Sequence, residues 1–102
     1  MSLKSDLNEA LIALRRLKIL EALKDAAGYI RDEVVIQNQL ALVGYPVSVA
    51  DLRDDLRHLR DRDCIRLDTP SGVWLATLTR TGGDVADGRG SVDGVARPGP
   101  GV

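Results

Sequence analysis

The chain has 102 residues, of which 44% are apolar, 28% are charged and 3% are aromatic. A chain this short buries about 60–65% of its unfolded surface, which fits one small domain with an aliphatic core and leaves no room for a separate catalytic domain. Fourteen Lys and Arg against fifteen Asp and Glu give a net charge of −1, so no basic field over the whole molecule attracts nucleic acid or an anionic membrane.

The first predicted element is a long amphipathic helix from Ser5 to about Ala27. Its apolar residues recur at spacings of three and four, which is typical of one buried helix face. They are Leu7, Leu11, Leu14, Leu17, Leu20 and Leu23. Ser5 is the predicted N-cap, and Gly28 stands where a left-handed residue ends a helix.

Two shorter helices follow. The second is predicted from about Asp32 to Val43, with Gly44 as its stop signal. The third begins at Ser48, which with Asp51 three residues later resembles a capping box. Its predicted buried face consists of Val49, Leu52, Leu56 and Leu59.

After Asp63 the apolar period changes from helical to alternating. Residues 65–67 and 73–78 predict a β-hairpin around the turn at 69–72. Thr79 then caps a short fourth helix that ends near Asp87. Residues 88–102 hold five glycines and two prolines, so we expect a domain over 1–87 and a flexible or extended tail over 88–102 that makes few contacts with it.

Three helices followed by a two-stranded hairpin match the order of elements in a winged helix-turn-helix domain of the α+β class. The passage from Trp74 to Gly82 resembles the aromatic, Leu-Thr-x-x-Gly sequence that closes the wing in many bacterial winged-helix regulators. In this arrangement Trp74 and Leu78 would anchor the hairpin on the helices.

The whole chain also resembles a group of small winged-helix proteins of Mu-like bacteriophages, which are similar to regulators of the arsenic-repressor type. The similarity extends over most of the length, through the segments ending at Tyr29, Tyr45, Leu59 and Gly82 and through Val95–Pro98. It implies the winged-helix fold and, by analogy of fold, DNA binding. Asp63 departs from the pattern, because a glycine often ends the third helix there.

The third helix of a winged helix usually enters the major groove, so its exposed side carries the candidate DNA contacts. With Leu52 facing the core, Arg53, Arg57 and Arg60 fall on one flank. Together with Ala50 and Arg66 they form the predicted DNA-binding set. The alternative is a solvated face, because Asp54, Arg57 and Asp61 have the spacing of helix ion pairs. Arg15, Arg16 and Lys18 on the first helix are likewise expected to be solvated.

No set of residues predicts catalysis, and no cofactor or metal is expected. One histidine, His58, and one cysteine, Cys64, cannot make a zinc site or a disulfide, and Cys64 is expected to be a small buried side chain at the start of a strand. No signal-peptide core or membrane-length apolar run is visible, so we expect the cytoplasm of the bacterial host and no membrane partner.

The sequence therefore predicts a phage-encoded, non-enzymatic winged-helix protein that binds double-stranded DNA or regulates transcription. Leu3, Ile12 and Ile19 widen the stripe of the first helix, which suggests a homodimer through that helix. The alternative is a protein-interaction adaptor of phage transposition or assembly that keeps the fold without DNA contacts.

Overall fold

The computed structural model describes residues 2–99. That part of the chain contains four α-helices and a three-stranded antiparallel sheet, so the fold class is α+β. In chain order the elements are α1 (Leu3–Lys24), β1 (Ile30–Asp32), α2 (Glu33–Leu42), α3 (Val49–Asp61), β2 (Ile65–Asp68), β3 (Leu75–Leu78) and α4 (Arg80–Ala86), with a short 3₁₀ turn at Ala27–Tyr29.

In the sheet, β3 lies between β1 and β2. β2 and β3 form the predicted hairpin, with Ile65 opposite Leu78. β1 pairs with the other edge of β3, with Ile30 opposite Thr77. The prediction of two strands is therefore wrong by one. β1 has three residues and no alternating pattern, so its pairing with a distant strand defines it and no local signal does.

Side-chain caps fix three of the four helix starts where the sequence places them. Asp32, Ser48 and Thr79 accept hydrogen bonds from backbone N–H groups in the first turns of α2, α3 and α4. Ser5 is not the cap of α1, because Ser2 accepts the Ser5 N–H at 3.1 Å and starts the helix three residues earlier.

α1 also ends at Lys24, before the predicted Ala27. The chain leaves the helix there for the 3₁₀ turn, in which Gly28 and Tyr29 both have positive φ, +68° and +60°. Asp63 has a φ of +61° and ends α3 as glycine usually does, with its own N–H bonded to the Arg60 carbonyl and the Cys64 N–H bonded to the Leu59 carbonyl. Asp63 thus adopts, with some backbone strain, the left-handed conformation that glycine usually adopts at this position.

The core lies between the helices and one face of the sheet. Its fully buried members include Leu20, Leu23, Ile36, Leu52, Leu56, Leu59 and Ala76. Trp74 and Leu78, which the sequence expects to anchor the hairpin, are partly buried and pack against it. Leu7, Leu11 and Val49 are exposed, so the prediction that they belong to buried helix faces is wrong. Cys64 is buried at the start of β2 as predicted. No helix in the described part of the chain combines the length and hydropathy needed to cross a membrane.

The C-terminal segment differs from expectation. Residues 92–96, which we call the strap, contain no helix or strand but pack on the domain, and Val95 is only 8% exposed. The strap is held by three hydrogen bonds, from Ala96 N–H to the Ala13 carbonyl, from Arg16 Nη1 to the Gly94 carbonyl and from His58 Nε2 to the Asp93 carbonyl. The expectation of few contacts is wrong for these residues, while 100–102 lie outside the described part.

Candidate interaction surface on the third helix

Arg53, the first of the predicted DNA contacts, is paired inside the protein. Its Nε and Nη2 donate to the two carboxylate oxygens of Glu33 at 2.7 and 2.8 Å. Glu33 starts α2 and is 5% exposed, and it also accepts the Trp74 backbone N–H at 2.7 Å. The Arg53 guanidinium beside it holds the pKa of the Glu33 carboxyl below its ordinary value. Arg53 therefore neutralises a buried carboxylate.

Trp74 brings a second predicted contact residue to the same place. The guanidinium carbons of Arg53 and Arg57 lie 4.7 and 5.0 Å from the centroid of its ring. Both distances are within the range of cation–π attraction. Arg57 also donates to Asp54 at 2.6 Å, three residues earlier on the helix. We call Arg53, Arg57 and Trp74 the Arg–Trp platform.

The other predicted site residues lie apart from this platform. Arg60 is exposed and pairs with the neighbouring Asp61 at 3.1 Å. Ala50 is exposed in the first turn of α3, and Arg66 is exposed on β2 opposite Thr77. The structure therefore brings together Arg53 and Arg57 out of the predicted set and adds two residues, Glu33 and Trp74.

The exposed face of α3 is balanced in charge and slightly acidic. Its exposed charged residues are two arginines, Arg57 and Arg60, and three aspartates, Asp51, Asp54 and Asp61. Lys and Arg side chains bind a phosphate backbone by displacing the small cations that are condensed on the DNA. A side chain that is already paired with a carboxylate gains less free energy from this displacement. This face is consequently a poor electrostatic match for a phosphate backbone.

A second buried ion cluster joins α1 to α3. Asp55 is 1% exposed and accepts hydrogen bonds from Arg15 at 2.5 and 3.0 Å and from Arg16 at 3.1 Å. The expectation that Arg15 and Arg16 are solvated is therefore wrong. Asp55 lies within the apolar stripe of α3, between Leu52 and Leu59, and that position is the signal that indicates a buried carboxylate needing a cation.

The remaining titratable candidates are Cys64 and His58. Burial raises the pKa of the Cys64 thiol, which keeps it protonated and weakly nucleophilic. The Nε2 atom of His58 donates a hydrogen bond to the Asp93 carbonyl in the strap. Within residues 2–99, no three His, Cys, Asp or Glu side chains are grouped closely enough to hold a metal ion.

A comparison with known proteins identifies a relative from a bacteriophage. The protein called "Uncharacterized protein gp26" of Escherichia phage Mu is 35% identical over 94 residues, which cover 92% of this chain and 97% of that protein. No protein-family model and no solved structure matches the chain. This match confirms the predicted relationship to a protein of a Mu-like bacteriophage. With matched residues running through nearly all of both proteins, the chain belongs to the family of the phage Mu protein gp26.

Proposed function

We propose that this protein is a non-enzymatic winged-helix domain that serves a Mu-like bacteriophage as a protein-interaction adaptor in the host cytoplasm. The order of elements and the position of β3 between β1 and β2 support the winged-helix assignment. In that arrangement α2 and α3 are the helix-turn-helix and the β2–β3 hairpin is the wing.

The observation that carries the adaptor proposal is the engagement of Arg53 by Glu33. A phosphate that drew Arg53 away would leave a carboxylate that is 5% exposed without its cation, which is costly. Arg57 is engaged in the same way, although less firmly, because its pair with Asp54 is exposed. Arg53 is thus committed to the protein itself, whereas Arg57 is held only weakly by its exposed pair with Asp54.

The composition of the platform suits a protein partner. Trp and Arg are the residue types that most often carry the binding energy of protein interfaces, because they offer apolar area and hydrogen bonds together. Val49 lies one turn before Arg53 on the same helix face and is 46% exposed. A partner that covers Val49 and the Arg–Trp platform buries apolar surface without breaking the Glu33 pair.

DNA binding is the second candidate, and one observation favours it. Arg57, Arg60 and Arg66 are all exposed, and the small Ala50 leaves room for close approach of a duplex to the start of α3. Binding of this kind is electrostatic, so it weakens steeply as salt rises.

A titration of labelled random duplex DNA at low salt separates the two functions. The adaptor proposal expects no binding that depends on salt and no difference between the wild type and the double variant Arg57→Ala, Arg60→Ala. Binding that weakens with salt and is lost in that variant would establish the DNA function in its place.

The adaptor function has its own positive test in a host that carries the phage. Tagged protein should capture one phage-encoded protein, and Val49→Glu should abolish that capture because it places a charge in the interface. The matched control is Val34→Glu, which changes an apolar residue of similar exposure, 54%, on α2. Equal capture by both variants would contradict the proposed surface.

A further inference from the structure

The strap contacts α1 and α3 in the manner of a bound peptide. Three hydrogen bonds join it to these helices, and each of them uses a backbone group of the strap. The carbonyls of Asp93 and Gly94 accept from side chains, and the Ala96 N–H donates to a carbonyl of α1. Among the side chains of the strap only Val95 is buried. A separate peptide with a valine at that place offers all of these groups.

The groove that receives the strap is built by residues that precede it in the chain. All the other buried apolar residues of the described part lie within residues 17–86. The two walls of the groove, α1 and α3, are joined by the buried Asp55. Arg16 donates to Asp55 through Nε and to the Gly94 carbonyl through Nη1. When the strap leaves, the first bond keeps the guanidinium in place and the second donor is free for another peptide carbonyl.

Gly94 is the residue of the strap that the groove selects most strictly. Its φ is +79°, a conformation that is strained for residues with a side chain. A Cβ at this position would lie 2.5 Å from His58 Nε2 and 2.7 Å from Arg16 Nη1, which are the two side-chain donors to the strap. Val95 follows with a buried side chain, and Ala96 is partly buried. The groove therefore fits an extended segment in which glycine precedes valine and alanine.

The chain that carries the strap closes on itself at its two ends. Arg97 donates to the Gly88 carbonyl at 3.3 Å, and a Cβ at Gly88 would lie 3.7 Å from the ring of Pro98. Residues 88–98 thus form a loop with neighbouring ends and no helix or strand. A segment with few buried side chains belongs to the parts of a protein that open at low free-energy cost. The loop can therefore leave the groove as one unit while its own ends stay together.

We propose that the groove between α1 and α3 is a binding site for an extended Gly-Val-Ala segment of a partner protein, and that the strap is its built-in occupant. The chemistry of this ligand is that of the strap, which the groove holds in the structure. The strap closes the site until a partner segment competes for it. This proposal goes beyond the adaptor function, because it uses no residue of the Arg–Trp platform.

Fluorescence anisotropy with a labelled synthetic peptide of residues 91–99 measures binding to the full chain. Gly94→Ala opens the site, because the added methyl group displaces the strap. Gly90→Ala is the matched control, since a Cβ there meets its nearest atoms at 3.7 Å. A strap that is docked about tenfold more often than undocked, at an effective concentration on the order of 1 mM, corresponds to a Kd of about 0.1 mM for the free peptide. We expect this Kd for Gly94→Ala and binding about tenfold weaker for the wild type and Gly90→Ala, whose own strap fills the site.

Hydrogen exchange at the Ala96 amide reports whether the strap is docked, because this N–H is bonded to the Ala13 carbonyl. The amide should be protected in the wild type and exchange rapidly in Gly94→Ala. Adding His58→Ala to Gly94→Ala should weaken peptide binding about two- to tenfold, since the donor to the Asp93 carbonyl is lost. A strap that stays docked in Gly94→Ala, no binding to that variant, or equal binding to that variant and the wild type overturns the proposal.

The two proposals can fail separately. Gly94→Ala should still capture the phage partner through the Arg–Trp platform. Adding Val49→Glu to Gly94→Ala should abolish that capture and leave the Kd of the peptide unchanged. If Val49→Glu abolishes binding of the peptide, the peptide binds at the platform and the proposed site between α1 and α3 is wrong.

Discussion

Glu33 lies in the first turn of α2, where the positive end of the helix dipole favours a carboxylate. Its hydrogen bonds come from Arg53 and from the Trp74 backbone, so one buried side chain joins α2 to α3 and to the start of β3. Asp55 is the other buried carboxylate of the described residues, and it joins α1 to α3 in the same way. Each carboxylate is stable in the interior because a guanidinium neutralises it.

Glu33→Gln should lower the free energy of unfolding by about 1–3 kcal/mol, because the amide keeps the shape of the side chain but loses the charge-assisted hydrogen bonds to Arg53. Asp54→Asn is the control, because its carboxylate is 68% exposed and its pair with Arg57 contributes about 0–1 kcal/mol. Urea unfolding at neutral pH measures both. Equal stability of Glu33→Gln and the wild type would contradict a structural role for the pair.

The same variant has a defined dependence on pH. The pKa of Glu33 is lowered from the ordinary 4.5, so the ionised carboxylate stabilises the native state at and above that pH. This stabilisation is lost as the pH falls through the lowered pKa. The difference in stability between the wild type and Glu33→Gln should therefore be largest near neutrality and decrease on acidification. A difference that is constant with pH would show that the pKa of Glu33 is the same in the native and unfolded states.

At the level of elements, the sequence predicts the features that depend on residues close together in the chain. Ser48, Asp32 and Thr79 are caps whose partners lie three residues away, so a short window contains the whole signal. β1 and the pairing of Arg53 with Glu33 are defined by residues distant along the chain, and no local pattern marks them. Asp55 is intermediate, because its place in an apolar stripe indicates burial but not its partners.

The junction of β3 and α4 explains why glycine stands at position 82. A Cβ added to Gly82 would lie 2.1 Å from the Cys64 carbonyl oxygen, whereas one added to Gly83 would meet only Leu78 Cδ2, at 3.8 Å. The Thr79 hydroxyl fixes this close approach, since it donates to the Asp63 carbonyl at 2.5 Å and accepts the Gly82 N–H. The start of α4 is therefore held against the turn between α3 and β2.

Gly82→Ala and Gly83→Ala should change stability in opposite directions. Gly82→Ala should cost about 1–3 kcal/mol, because the backbone must shift to admit the methyl group. Gly83→Ala should stabilise by about 0.4–1 kcal/mol, because alanine restricts the unfolded chain and favours the helix. Thermal melting of the two variants beside the wild type measures both effects. If Gly82→Ala is as stable as Gly83→Ala, the close approach to Cys64 does not exist.

At the scale of the whole molecule, the composition predicts a single small domain. Its prediction of a C-terminal tail with few contacts is wrong for residues 92–96. Glycine and proline offer little apolar surface, which is why residues 88–102 suggest a tail with few contacts. Three small apolar residues, Val92, Val95 and Ala96, pack the strap against the core, and three hydrogen bonds hold it there. Their spacing follows neither a helical nor an alternating period, so the sequence does not indicate that they are buried. Their burial depends on the surface that α1 and α3 form in the folded protein.

Truncation after Asp87 should therefore destabilise the domain, although the sequence alone suggests that it is neutral. The variant loses the burial of Val95, which is 8% exposed, and the bonds that the strap accepts from Arg16 and His58. Burying one valine contributes about 1.5–3 kcal/mol, and ordering the strap offsets part of this gain. The net loss of about 1–2 kcal/mol corresponds to a decrease in Tm of roughly 4–15 °C for a domain of this size.

A chain that ends at Gly99 retains every described contact of the strap and is the control, with an unchanged Tm. If the chain that ends at Asp87 melts with the control, the strap contributes nothing to stability and residues 88–102 are dispensable for the fold.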